Sequence, residues 1–309
     1  MTQGVGQTDT NKRTGNPGAS GPSVSWSIRG GSVDLTTPVV MGIMNLTPDS
    51  FSDGGMLRGE GSALERARAL LSEGARILDV GGESTRPGAQ PVSVEREMAR
   101  ILPVIQRLAD SGLGPVSVDT RNSEVAREAL RAGAQVVNDV SGLNHDSDMA
   151  RVVAEGGAGL VLSHMRGTPA TMRNRAEYVD VAEEVAEELG QSLTLALASG
   201  VPREKIVVDP GIGFAKTGPQ SMELLRNLAS LRRLECPILV GPSRKSFIGE
   251  VTGLPPADRL PGTIAACVLA LGSGARIFRV HDVAPVVQAL EVAQGILGGG
   301  PGGNETERP

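Results

Sequence analysis

Residues able to do chemistry recur at one kind of place in this 309-residue chain, at the end of short runs of β-branched and aliphatic side chains. Asn45 closes PVVMGIMN, and Asp79 sits near the end of ARILDVGG with Glu83, Thr85 and Arg86 beyond it. Asp119 ends PVSVDT, and Asn138 and Asp139 lie in QVVNDVSG. His164 ends GLVLSHM, Asp209 ends KIVVDPG, Ser243, Arg244 and Lys245 follow PILVGP, and Arg279, His281 and Asp282 close RIFRVHD. Asp119, Asn138 and Asp209 offer donors and acceptors suited to an amide- or guanidine-like edge, such as an aminopyrimidinone ring; Arg86, Lys245, Arg279 and His281 favour an anion. One ligand carrying both features would use both sets. Lys245 has three chemically reasonable roles, as a Schiff-base amine, an ion-pair partner, or a donor to an anion or carbonyl.

The elements that must position these groups are legible in the spacing. The eight runs begin near residues 39, 77, 115, 136, 160, 205, 237 and 276. They recur about every 34 residues, close to the roughly 30 per unit expected when about 250 residues form eight βα units. Helical patterns fill the intervals: Val181, Val185 and Leu189 are four apart, which makes Glu183, Glu184, Glu187 and Glu188 a solvated face. Gly74, Gly133, Gly200 and Gly274 stand where helices should end. Ahead of the first unit, VSWSIRGGSVDLTT reads as a hairpin turning at Gly30-Gly31 that could close one end of a barrel. The expected fold is an α/β (β/α)8 TIM barrel, a single domain over residues 24–297, between Gly-rich tails at 1–23 and 298–309 expected to be disordered. In such a barrel the reactive groups stand at the C-terminal strand ends. Two long connections there, NLTPDSFSDGG (45–55) and GGESTRPGA (81–89), read as loops that close over a substrate.

Composition excludes other classes. Thirty Lys and Arg against 35 Asp and Glu give a formal charge of −5, so a basic nucleic-acid footprint is absent. Six aromatic residues, Trp26, Tyr178 and four phenylalanines, are too few for base-stacking platforms. No apolar run approaches the roughly 20 residues that span a bilayer. Cys236 and Cys267 form no CxxC pair and read as buried reduced thiols of a cytoplasmic protein. P-loop, dinucleotide and GxSxG patterns are missing, and the last leaves Ser243 without a nucleophile's setting. His145, His164 and His281 are too scattered for a zinc site, whereas a magnesium ion bridged to substrate phosphates needs only one or two protein oxygens.

Seven motifs, MGIMNLTPDSFSDGG, ILDVGGESTRPGA, VSVDT, VVNDVSG, VVDPGIGFAKT, LVGPSRKSFIG and FRVHD, closely resemble in type and order those of the dihydropteroate synthases of the folate pathway, over about residues 39–292. Methyltransferases of the wider pterin-binding barrel group share the NDVSG-like element; the loop pair and SRKS separate the synthases from them. The resemblance implies condensation of (7,8-dihydropterin-6-yl)methyl diphosphate with 4-aminobenzoate, with Mg2+ as cofactor, in a homodimer built through C-terminal helices. It implies that Asp119, Asn138, Asp209 and Lys245 bind the pterin with Met165 packing on the ring. Thr85, Arg86, Arg279 and His281 would surround the diphosphate, with Asn45 as magnesium ligand. Arg86, Pro87, Phe214, Ser243 and Lys245 would line the aminobenzoate slot, and Asn45, Arg86, Lys245, Arg279 and His281 would form the catalytic set. A non-catalytic pterin-binding paralogue would keep the pterin residues but usually lose the diphosphate loops, and here both loop sequences are whole. Pro242 and Ala215 depart from the family pattern, where methionine or alanine and glycine are common, without removing a donor or a charge.

Overall fold

The β-branched runs become strands where the sequence places them, none beginning more than one residue from the expected start. The computed structural model describes Met1 and residues 25–46, 60–85 and 88–298. The tails, most of loop 45–55, and Arg86 and Pro87 lie outside the described residues. After the hairpin strands β1 (Ser25–Ile28) and β2 (Gly31–Asp34) come the barrel strands β3 (Val39–Asn45), β4 (Ile77–Gly81), β5 (Val116–Asp119) and β6 (Val136–Asp139). They continue with β7 (Gly159–Ser163), β8 (Ile206–Asp209), β9 (Ile238–Val240) and β10 (Ala275–Val280). All eight run parallel, each beside its successor, and β10 closes on β3 through the Ile277–Val39 and Arg279–Met41 registers. The helices are α1 (Glu60–Ser72), α2 (Val94–Asp110), α3 (Ser123–Arg131), α4 (Met149–Gly156), α5 (Val181–Ala198), α6 (Gly218–Arg226), α7 (Ser246–Thr252), α8 (Leu260–Gly272) and α9 (Val283–Ile296).

Local chemistry sets the helix ends. Asp180 accepts from the backbone N–H groups of Ala182 and Glu183 to start α5, and Thr217 with Gln220 forms a reciprocal cap on α6. Gly74, Gly133, Gly200 and Gly274 all take positive φ, between 91° and 110°, just before the next strand. The hairpin turns at Arg29–Gly30, one residue earlier than expected: Ile28 pairs with Gly31, and Gly30 at φ 77° supplies the left-handed residue.

Two cores result from the two faces of the strands. Outward residues such as Leu78, Val80, Val137, Leu160 and Val208 pack under the helices. Inward residues Met41, Ile77, Val136, Val161, Val207, Leu239 and Ile277 meet Trp26, Ile28 and Val33 of the hairpin, which seals the N-terminal end. Trp26 is fully buried and its indole N–H donates to Lys205 O at 2.8 Å. Because side chains alternate along a strand, the next inward position lies two residues on. There the layer becomes Asp79, Asn138, Ser163, Asp209, Gly241 and Arg279, at the opposite end of the barrel.

Candidate active site

Gly241 and Arg279 of this layer line an open cavity of about 1320 Å3 at the C-terminal end of the strands. Asn45, Thr85, Asp119, Phe214, Ser243, Lys245, Arg279 and His281 line it, and a smaller recess below is walled by Asn138, Ser163, Asp209, Phe214, Lys245 and Arg279. The structure thus gathers most of the residues expected from the strand ends; Asp79, Asp139, His164 and Asp282 line neither space, and Arg86 lies outside the described residues. Met165 is buried in an adjoining apolar cluster with Val140, Met172, Phe214 and Ala215.

Arg279 organises the floor. Its Nε donates to Asp79 Oδ2 and its Nη2 to Asp119 Oδ2, both at 2.6 Å, and Asn138 Nδ2 donates to the same Asp79 oxygen at 3.2 Å. Burial would lower the Arg279 pKa, but Asp79 and Asp119 more than offset it, so the guanidinium stays charged. Burial, opposed by Arg279 and reinforced by Asp79, pushes the Asp119 carboxyl up to about 7. Burial also raises Asp209, whose Oδ1 accepts from Gly211 N at 2.7 Å. Lys245 is brought down to about 8 by burial, with Asp209 and Asp119 pulling the other way. Its Nζ lies 3.8 Å from the centre of the Phe214 ring, a cation–π contact. Asp79 Oδ1, Asn138 Oδ1 and Ser163 Oγ are buried without a partner among the described residues, a cost that a hydrogen-bonding ligand would remove.

At the rim, Ser243 Oγ accepts from the His281 backbone N–H at 3.2 Å and shares a hydrogen bond with His281 Nδ1 at 3.0 Å, which fixes the imidazole. Arg121 grips Glu83 with two bonds of 3.0 and 3.1 Å, and the same carboxylate accepts from Val92 N. That one side chain thus links residue 83, just after β4, to Val92, just before α2. Gly88 N donates to Pro169 O at 2.9 Å, tying this segment to the connection after β7.

Several strand-end residues work elsewhere. Asp139 accepts from Ser141 and Leu143 and builds the turn after β6. Arg244 makes a two-bond ion pair with Asp282. His164 bonds to Lys216 and to Glu188. Glu188 is therefore no part of a purely solvated face: it accepts from His164 and Arg166, and Glu184 accepts from Arg166 as well. Sequence reasoning missed Asp79 as the partner of Arg279, although the two-residue period puts it in the polar layer. It also passed over Lys216 and Ser246, which line the cavity from within the GIGFAK and SRKS segments.

The pterin-binding enzyme family model matches residues 41–281. A dihydropteroate synthase of Synechocystis is 47% identical over 258 residues, covering 83% of this chain and 89% of that one. The Escherichia coli K12 dihydropteroate synthase is 42% identical over 269 residues, 87% of this chain and 95% of that one. Among solved structures, Yersinia pestis dihydropteroate synthase with a sulfonamide drug complex superposes with a TM-score of 0.85 at 39% identity, covering 89% of this chain and 99% of its own. The Thermus thermophilus enzyme in complex with 4-aminobenzoate does so with a TM-score of 0.79 at 44% identity, covering 88% and 99%. With the fold, the ordered motifs and these likenesses in agreement, the chain belongs to the pterin-binding enzyme family, among the dihydropteroate synthases.

Proposed function

We propose that this chain joins (7,8-dihydropterin-6-yl)methyl diphosphate to 4-aminobenzoate, giving 7,8-dihydropteroate and pyrophosphate in tetrahydrofolate biosynthesis. The observation that carries this reading is the buried floor, where Asp209, Lys245 and Asn138, its Oδ1 without a partner among the described residues, share one recess that Asp119 joins through Arg279. That is a donor and acceptor set for a flat aminopyrimidinone, with Met165 in the adjoining wall. Thr85 and His281 stand on the rim side, where a diphosphate would project above Arg279; the motif adds Arg86, which lies outside the described residues. Phe214, Ser243 and Lys245, with Arg86 and Pro87, would take the aminobenzoate.

In this reading a C–O bond to the diphosphate breaks first, a C–N bond to the aniline nitrogen forms, and the aniline proton leaves afterwards. The positively charged methylene that results is conjugated with the dihydropterin ring. Arg279 uses two of its five N–H groups on Asp79 and Asp119, and the others can meet departing negative charge with His281. Lys245 serves as a donor rather than a Schiff-base amine, since its protonated form lies between Asp209, Asp119 and the Phe214 face. Holding the aminobenzoate beside Phe214 converts a bimolecular attack into a positioned one.

Mg2+ belongs to the proposal. Among the described residues no group of three carboxylate, histidine or cysteine ligands converges, as suits an ion held chiefly by substrate oxygens. The Asn45 amide at the end of β3 lines the cavity and would supply the protein oxygen. The bound ion would neutralise diphosphate charge. A cytoplasmic homodimer completes the reading: both cysteines are buried and unpaired, as suits a reducing compartment. Leu269 on α8 and Ile296 on α9 are 71% and 80% exposed, an apolar surface that a second copy would cover.

The test is pyrophosphate release from the pterin diphosphate, with and without 4-aminobenzoate, in magnesium buffer and in EDTA. Magnesium-dependent release with dihydropteroate formed only when aminobenzoate is present supports the reading. Pterin binding with no release would turn it into a non-catalytic pterin-binding protein. A secondary isotope effect near unity at the reacting methylene would rule out the dissociative order.

A further inference from the structure

The turn that follows β8 is held by a lysine that the chemistry above does not use. Lys216 is only 9% exposed, yet its side chain lines the cavity. Its Nζ donates to Phe214 O at 3.0 Å and Gly211 O at 3.2 Å, and lies 2.9 Å from His164 Nδ1. An ammonium has three donors and no acceptor, so all three are used and Nδ1 must accept. The other imidazole nitrogen then carries hydrogen and donates to Glu188 Oε2 at 2.9 Å, and Glu188 is gripped in turn by Arg166. Lys216 therefore ends a chain of fixed polarity running from the surface of α5 to the cavity wall.

What the ammonium holds is a turn that cannot hold itself easily. Ala215 sits at φ 48°, left-handed backbone that an L-residue with a Cβ occupies at a steric cost. Gly211, at φ 67°, rests so closely on the end of β7 that a Cβ there would come within 1.9 Å of His164 O. Gly213 leaves room for the Lys245 stem, which a Cβ would approach to 3.2 Å. The turn carries Asp209 at its start and Phe214 at its end, with Phe214 facing Lys245.

We propose that Lys216 is a positioning residue for the second substrate: by holding the Gly211 and Phe214 carbonyls it sets the Phe214 ring against Lys245 and shapes the aminobenzoate slot. This rests on the condensation reading given above. Asp209 is held by the sheet itself, where its carbonyl accepts from His164 N at 2.9 Å, so the pterin half depends on Lys216 less. Burial brings the lysine down to about 7; the Arg166 and Lys245 charges act in the same direction, and Asp209 and Glu188 oppose them.

The experiment compares wild type, Lys216→Met, Lys216→Gln and Lys216→Met/Ala215→Gly. Steady-state KM for 4-aminobenzoate is measured at saturating pterin diphosphate. Calorimetric Kd values are measured for dihydropteroate, which spans both halves of the site, and for pterin diphosphate, which fills one. Lys216→Met is expected to raise the aminobenzoate KM and the dihydropteroate Kd about 10-fold, with the pterin diphosphate Kd and kcat within about 3-fold. Lys216→Gln, which keeps two donors and is the milder test of folding, is expected to show the same pattern at about 3-fold. Adding Ala215→Gly should recover part of the loss, because glycine adopts the turn without strain. An unchanged aminobenzoate KM and dihydropteroate Kd in both single variants, or equal weakening of both ligand halves, would overturn the proposal. Absence of turnover in the wild type would sink the condensation reading alone, since the two Kd values would still decide the role of Lys216.

Discussion

The two ends of the barrel interior are built from the same strands and differ in everything else. At the N-terminal end Ile77, Val136, Val207 and Ile277 point inward against Trp26; two residues further along each strand, roughly 7 Å, the inward side chains are Asp79, Asn138, Asp209 and Arg279. Both layers are buried except for Arg279, whose side chain is 19% exposed. Burial at the first end removes apolar surface from water and stabilises the fold. At the second it works against the charged groups, raising Asp119 and Asp209 and lowering Lys245, and leaves acceptors such as Asn138 Oδ1 unpaired. One end of the barrel therefore supplies the stability that the other uses to keep a preorganised polar floor.

The largest effects should separate the ends cleanly. Trp26→Ala removes a fully buried side chain from the sealed end and is expected to cost about 3–5 kcal/mol in urea denaturation, with KM unchanged in the protein that remains folded. Asp119→Asn keeps the shape of the floor but removes one carboxylate from Arg279. Turnover is expected to fall about 100-fold, while the protein stays folded with Arg279 still paired to Asp79. A Trp26 variant with altered KM, or an Asp119 variant that unfolds, would blur the division.

The division was largely legible in the sequence, because strand period and motif order together place a polar residue two positions after an apolar one in strand after strand. Asn138, Asp209 and Arg279 follow that pattern, Asp119 and Lys245 come from the strand ends and motifs, and all but Asp119 line one recess, which Asp119 joins through Arg279. Contacts that depend on how a helix seats on the barrel did not. Glu184 and Glu188 belong to an acidic helical face by spacing, and only the packing of α5 turns them toward Arg166 and, for Glu188, His164. The one-residue displacement of the hairpin turn has a local cause: either of two adjacent glycines could take positive φ, and strand register chose Gly30.

A pH measurement sharpens the comparison within the polar end itself. His164, buried and beside Lys216, is lowered to about 4 from 6.5, so its contribution to stability is present above pH 6.5 and is lost as pH falls toward 4. Asp119 runs the other way: raised to about 7 from 3.8, it contributes most below pH 3.8 and its contribution is lost as pH rises through 7. The two nearly share a window with opposite slopes. His164→Gln should therefore make urea stability less acid-sensitive between pH 6.5 and 4, and Asp119→Asn should make it more so. Parallel curves for the two variants would show that neither group sets the slope.

The smallest effect concerns backbone strain, which is also unevenly shared between the ends. Among the described residues, Leu143, Ala215 and Arg244 hold positive φ in the connections that follow β6, β8 and β9, at the polar end. Glu235, before β9, closes a short helical segment at the other. A left-handed alanine costs about 1–2 kcal/mol over glycine in the folded chain, against about 0.5–1 kcal/mol that glycine's freedom adds to the unfolded state. Ala215→Gly should thus stabilise by about 0.5 kcal/mol, with the aminobenzoate KM near wild type because Lys216 already holds the turn. A loss of stability would mean that the turn is relaxed as it stands, and that the strain at the polar end resides in its buried charges alone.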